Sequence, residues 1–269
     1  MDKYTIHILQ TEARDRGDLR EVVRLAALGL PKAGAFMGAV PNPATSMKLQ
    51  TQEFVLSMCY RLGLPIYPEG VTCYKWDAYL DMYGDHAMHC GHGPERIQHH
   101  IAWRDCLATA ARGAQITTRV EAMKIIEENT RPGDVLLQGY LGGNNTAINV
   151  SVVSPFQEAY LRAEADEPGV AIKRREEENR ARHEASCRRE GIGFMPMAAH
   201  TIGGMSLATV KEIGKIAGAM ARAHGDKDSM VIGHTFQGMS LAIQRGNASM
   251  LVTRLTTVDQ QVDGNQEEG

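Results

Sequence analysis

Apolar positions along this chain change period several times, and each change marks an element. Val135-Leu136-Leu137 and Ala147-Ile148-Asn149-Val150-Ser151-Val152-Val153 are runs of β-branched and aliphatic residues, the composition of strands. Between them Leu141-Gly142-Gly143-Asn144-Asn145 offers the positive-φ positions that a reversal of direction requires. Before this pair the spacing is helical. Leu19, Val22, Val23, Leu25, Ala26 and Leu28 form one stripe, and Phe54, Val55, Met58, Cys59 and Leu62 form another, with a loop at Pro41-Asn42-Pro43 between them. Pro65 to Cys90 has little periodicity and is rich in Gly, Tyr, Cys and His, whereas Ile97, Ile101, Leu107 and Ala111 predict a helix from Pro94 that ends at Gly113.

After the paired strands, a charged helix is expected from about Gln157 to Arg189 with an interruption at Pro168-Gly169, and Gly191 to Met197 reads as a short strand. Ser206 is placed to cap a helix carrying Leu207, Val210, Ile213, Ile216, Ala217 and Met220. A last helix runs through Phe236, Met239, Leu241, Ile243 and Leu251, and Val262 to Gly269 is expected to fray. The order predicts an α/β (α+β) chain with a mixed central sheet covered by helices. The divisions expected are a helical segment over 1–64, a Cys/His module with its following helix over 65–113, a sheet domain over 114–258, and a disordered tail over 259–269.

Composition narrows the class. At 269 residues and 43% hydrophobic, the chain buries a sizeable core, and no run approaches the roughly 20 apolar residues of a membrane span. The start, Met1-Asp2-Lys3-Tyr4-Thr5-Ile6-His7, lacks the order of a secretory signal, so an intracellular location is expected. Five cysteines, an odd number, point to thiols or metal ligands rather than a disulfide framework. A net charge of −3 leaves only local nucleic-acid surfaces, with Lys173-Arg174-Arg175, Arg180, Arg182, Arg188-Arg189, Arg245 and Arg254 as candidates. The segment 173–189 also carries Glu176, Glu177, Glu178 and Glu184, the pattern of a solvated helix with i,i+4 pairs.

Adjacent strands can also hold polar groups together at one sheet edge. A magnesium nuclease needs carboxylates there, because a hard cation takes oxygen ligands beside the scissile phosphate. Asp134 supplies one such acid, and Asn149 stands where a second would be expected.

Several segments together resemble a known family: Leu62-Gly63-Leu64-Pro65, Cys73 to Cys90 with Gly84-Asp85-His86-Ala87, Asp134 in an Arg-Pro-x-Asp setting, Asn149-Val150-Ser151-Val152, Gly191 to Pro196, Gly203-Gly204, and His234 to Ala248. They are similar to the C-terminal region of non-LTR retrotransposon polyproteins, in which a Cys/His zinc knuckle precedes a restriction-like endonuclease of the PD-(D/E)XK fold. The resemblance implies a retroelement-derived DNA endonuclease module that nicks target DNA by Mg- or Mn-dependent hydrolysis. It also implies DNA (or RNA) as partner, a reverse transcriptase acting in trans, and a nuclear location. Carried over singly, an acid on a helix before the strands falls at Glu121, with Glu127 and Glu128 as neighbours, and the metal-binding acid falls at Asp134. The second strand's acid falls at Asn149, and the basic position falls in the Glu176 to His183 helix, where Asn179 and Arg182 stand, with Lys173 nearby as a replacement cation. His200 occupies the place of a family Glu before Thr201.

Cys73 and the pair His86-x3-Cys90 have spacing suited to tetrahedral zinc, and the position of a further family Cys is Trp76. His92 or His89 is the nearest candidate for the remaining ligand. His100 matches the histidine of a family Arg-His-Asn signature and is a candidate contact to the DNA backbone, together with Arg182, Arg188 and Arg189. The competing readings are a binding module without catalysis, which Asn149 favours, and an interaction protein docking through the helices after Ser206.

Overall fold

The structure is a computed structural model that describes residues 3–73, 78–91, 93–121 and 133–264. It is mixed α/β and 59% helical, with a mixed four-stranded sheet flanked by helices. The strands are β3 (Thr118–Val120), β4 (Val135–Leu141), β5 (Asn144–Val153) and β6 (Gly193–His200), in spatial order β3-β4-β5-β6. A hairpin of β1 (Thr72–Cys73) and β2 (Ala78–Tyr79) lies apart from this sheet.

The β4–β5 reversal forms where the Gly-Asn segment predicted it. Gly142 and Gly143 sit at φ 59° and 85°, the pair of positive values that lets a two-residue loop match the strand twist. β3, β4 and β5 are antiparallel, and β6 joins β5 in parallel from Thr146↔Gly193 to Val153↔His200. A parallel neighbour requires a crossover. It is made by α6 (Glu158–Asp166) and α7 (Val170–Arg189), broken at Gly169 with φ 96° as the sequence predicts. β6 carries Pro196 and lies at the sheet edge, where a missing N–H is tolerated. β3 was not foreseen: Thr118-Arg119-Val120 has no apolar alternation to announce it.

One sheet face meets α5 (Glu95–Gly113), α8 (Leu207–His224) and α9 (Asp228–Gly264). Val135, Leu137, Ile148, Val150 and Met197 pack there against Trp103, Leu107, Ile213, Ile216 and Ile243. The other face carries Leu136 and Ala147 against Cys187 of α7. Ser206 caps α8 by accepting the Thr209 N–H, as its position before the apolar stripe predicts. Of the N-terminal helices α1 (Lys3–Asp15), α2 (Leu19–Leu28) and α3 (Thr51–Leu62), α2 buries most of its predicted stripe, whereas α3 buries Leu56, Ser57 and Tyr60 and leaves Phe54, Val55 and Leu62 of its predicted stripe exposed.

The Cys/His segment contributes to a common core rather than standing as a separate module. Cys73, Leu80, Ala87, Met88 and Cys90 are buried with Val22, Val23, Tyr60 and Leu251, so α9 belongs to both halves of the molecule. α9 also continues to Gly264, into the segment read as a disordered tail.

Where α5 and α9 cross, Gly246 admits the His99 ring so closely that a Cβ on it would lie 2.2 Å from the ring's Cδ2. In an exposed helix interior Gly→Ala stabilises by about 0.5–1 kcal/mol. Here the sign reverses: Gly246→Ala is expected to destabilise by about 1–3 kcal/mol through overpacking, read as a lower midpoint in urea unfolding.

Candidate functional site

β4 begins at Val135 while its partner β5 runs on to Val153, which leaves a stretch of β5 edge without a β4 neighbour. The chain just before β4 resolves part of that edge. Gly133 passes so close to β5 that a Cβ would stand 2.7 Å from the Ile148 carbonyl oxygen, which is why only glycine fits. Asp134 then donates its N–H to Ile148 O at 2.8 Å and accepts the Glu121 N–H at its own carbonyl, at 2.9 Å. Its carboxylate, 1% exposed, accepts the Val150 N–H on Oδ2 at 2.8 Å. The other oxygen, Oδ1, lies 3.2 Å from Nε2 of His100 on α5.

Beyond this latch the edge opens into a polar cavity of about 390 Å³, lined by His89, Arg96, His100, Glu121, Ser151 and Arg175 among others. α5 contributes Arg96 and His100, one helical turn apart and so on one face. α7 contributes Arg175, with Asn179 one turn on donating to Ser151 Oγ at 3.1 Å. Cations from both sides of the sheet thus converge on one exposed strand edge.

Glu121 differs from its expectation. It lies directly after β3 with φ 50°, not on a helix, and its carboxylate is bound by the buried Arg104, which also donates to Asp105 at 2.8 Å. Glu127 and Glu128 lie outside the described residues. Asn149 shares its strand face with Ala147 and Ser151, toward α7, whereas the Asp134 carboxylate meets α5. The acids expected to hold magnesium have different neighbours: Asp134 meets Val150 and His100, Glu121 is bound by Arg104, and no group of three His, Cys, Asp or Glu donors includes either among the described residues. Lys173 is 63% exposed in the first turn of α7 and pairs with Glu167 at 3.6 Å. Arg182, Arg188 and Arg189 are exposed on the same helix, about 10–20 Å beyond Arg175 at about 1.5 Å per residue, and do not reach the cavity. Arg188 pairs with Glu184 at 3.7 Å and Arg189 donates to Ser186 at 3.2 Å. Arg96 was the functional candidate that sequence reasoning passed over, and Arg175 was named there only within the basic run Lys173-Arg174-Arg175. Their signal was helical spacing, four residues before His100 and four before Asn179.

A second cluster lies in the Cys/His segment. Cys73 ends β1, His86 sits in α4 (Asp85–His89), and Cys90 follows it. The turn into α4 is built by Asp81, whose carboxylate accepts the N–H groups of Tyr83, Asp85 and His86. Ligand atoms of Cys73, His86 and Cys90 lie within 4.8 Å of one another, so this group could hold a metal ion. The fit is chemical as well as geometric. Both thiols are buried, and the His86 Nε2 is buried without a hydrogen-bond partner. Burial and the neighbouring His89 push the His86 pKa down, which favours the neutral imidazole a metal requires. Trp76 and His92 lie outside the described residues.

His200, at the end of β6, is fully buried with Nε2 3.1 Å from Glu164 Oε1 of α6. Glu164 also accepts the N–H groups of Gly169 at 2.8 Å and Ala171 at 2.6 Å, which caps the start of α7. The carboxylate near Thr201 is thus supplied from α6, while Thr201 itself meets the Tyr60 hydroxyl at 3.1 Å.

A scan against family models finds no match for the chain, and no curated protein matches it.

Burial raises the Glu164 pKa, but the hydrogen bond and charge of His200 and the two N–H donors outweigh it and hold the group below 4.5. A carboxylate depressed in the folded state contributes stability that is complete above its unfolded pKa and is lost as pH falls through the folded one. Glu164→Gln is therefore expected to lower stability at neutral pH by about 3–5 kcal/mol and to flatten its decline below about pH 4.5. Urea unfolding of both proteins at a series of pH values reads this. An equal acid slope in the variant would contradict it.

Proposed function

We propose that this chain is a retroelement-derived module of the restriction-endonuclease-like kind, whose present function is to bind DNA through the cavity at the end of β4. The observation that carries this reading is the convergence of Arg96, His100 and Arg175 on the open edge of β5 around a buried Asp134. Guanidinium groups there offer forked donors to phosphate oxygens, and the β5 edge and Ser151 add polar groups beside them. Because the net charge is only −3, affinity has to come from this local set, with release of counterions from the few phosphates it neutralises. The order of elements supports the resemblance: an Asp heads β4, Asn149 lies on its antiparallel partner, and a helix then leads to a parallel strand. Cys73, His86 and Cys90 would hold zinc as a structural ion that ties the segment to the core. A reverse transcriptase in trans and a nuclear location belong to the same proposal.

A second reading, Mg- or Mn-dependent nicking of DNA, is favoured by the place of Asp134 at the head of β4. Against it stands the hydrogen bond from the Val150 N–H to Asp134 Oδ2, with Oδ1 lying 3.2 Å from His100 Nε2. Metal-assisted hydrolysis requires oxygen ligands that meet at one point; Asp134 and Glu121 belong to no group of three such donors among the described residues, and Asn149 lies on the strand face toward α7.

Duplex DNA is expected to bind with strong salt dependence. Arg96→Ala and Arg175→Ala should each weaken affinity and reduce the magnitude of the log–log salt slope by about 1, while Arg188→Ala leaves both nearly unchanged. Fluorescence anisotropy at several salt concentrations reads the slopes, and absence of salt-dependent binding would favour an interaction protein instead. Supercoiled plasmid with Mg²⁺ or Mn²⁺ is expected to stay intact. Nicking abolished by Asp134→Ala would establish the second reading.

A further inference from the structure

The metal segment rests against one turn of the last helix, Leu251 to Arg254. The Tyr67 hydroxyl donates to Leu251 O at 2.9 Å. Gly84, two residues before His86, lies so close to Leu251 that a Cβ would stand 2.3 Å from its Cδ2. Arg254 is 1% exposed, and its Nη1 reaches Glu95 Oε2 and Met250 O, each at 3.3 Å. The same guanidinium hydrogen-bonds the Cys90 sulfur.

A guanidinium stays charged even when buried, so it must be met by negative charge. Glu95, 8% exposed, supplies one carboxylate. A Cys90 sulfur that ligates a metal does so as a thiolate, and an N–H···S bond from a fixed cation stabilises that form. From these contacts we propose that Arg254 is an outer positioning residue of the metal centre, holding the Cys90 thiolate and linking metal occupancy to the seating of the last helix. This rests on the assignment of Cys73, His86 and Cys90 as a zinc site. Linkage is reciprocal: metal stabilises the docked helix turn, and the docked turn raises metal affinity by the same factor.

The test uses the full chain and zinc itself. Zinc affinity is measured by competition with a chromophoric chelator in wild type, Arg254→Met and Arg254→Lys. Amide hydrogen exchange across 245–254 is followed in wild type with zinc and after chelation, which does not depend on any variant folding. Arg254→Met is expected to bind zinc about 10–100-fold more weakly, with partial recovery in Arg254→Lys. Chelation should speed exchange in the Leu251–Arg254 turn of wild type. Unchanged affinity in a folded Arg254→Met, or exchange in that turn that ignores zinc, would overturn the proposal while leaving the zinc assignment intact. Failure of wild type to bind zinc would remove both.

Discussion

A strand that outlasts its neighbour exposes backbone N–H and C=O groups that must find partners, and this molecule is organised around one such place. Where β4 stops, Asp134 takes over its pairing role with a side chain, accepting the Val150 N–H at 2.8 Å. The other carboxylate oxygen, Oδ1, stands 3.2 Å from His100 Nε2 on α5. α5 lies against this end of the sheet, with Arg96 and His100 along the cavity. The result is a strand edge left polar and open, with cations from α5 and α7 on either side. A hydrogen-bonding need thus creates the geometry that we read as a phosphate-binding cleft.

The last helix joins the two halves of the molecule. Through Ile243 and Met239 it covers the sheet, and through Leu251 it packs with Val22, Tyr60 and Cys73. Burying this apolar area is the main source of stability, at roughly 25 cal/mol per Å² removed from water. The polar links are specific rather than large. Glu164 capping α7 and pairing with His200, and Arg254 between Glu95 and Cys90, each demand one arrangement of the elements they connect. Removing one partner from such a buried pair leaves the other uncompensated, so these contacts define which packing is allowed.

Much of the fold was legible in the residues. Valine-rich runs around a Gly-Gly turn announced β4 and β5, the Pro168-Gly169 break separated α6 from α7, and Ser206 marked the start of α8. β3 was hidden because an edge strand of three residues has no period to display. Cys73, His86 and Cys90 were legible because metal ligation leaves a spacing, and the structure brings their donors within 4.8 Å. The residues expected at a phosphodiester centre were placed correctly only in part. Asp134 was identified by its position before a strand, but Glu121 lies after β3 rather than on a helix, and Asn149 faces α7 with Ala147 and Ser151. Arg182, Arg188 and Arg189 looked basic in a string of letters, yet the turns of α7 direct Arg175 and Asn179 toward the sheet and leave those three exposed. Charge counted along a sequence carries no information on which helix face it occupies, and that face decides what a cation can reach.

The central claim is that DNA meets the protein at the open edge of β5. Backbone amide shifts recorded while a short duplex is titrated into ¹⁵N-labelled protein test this most directly. The account predicts the largest changes at Ser151 to Ser154 and around Arg96, His100 and Arg175, with little change at Arg182 to Arg189. Changes confined to the exposed end of α7, or none at saturating duplex, would contradict it.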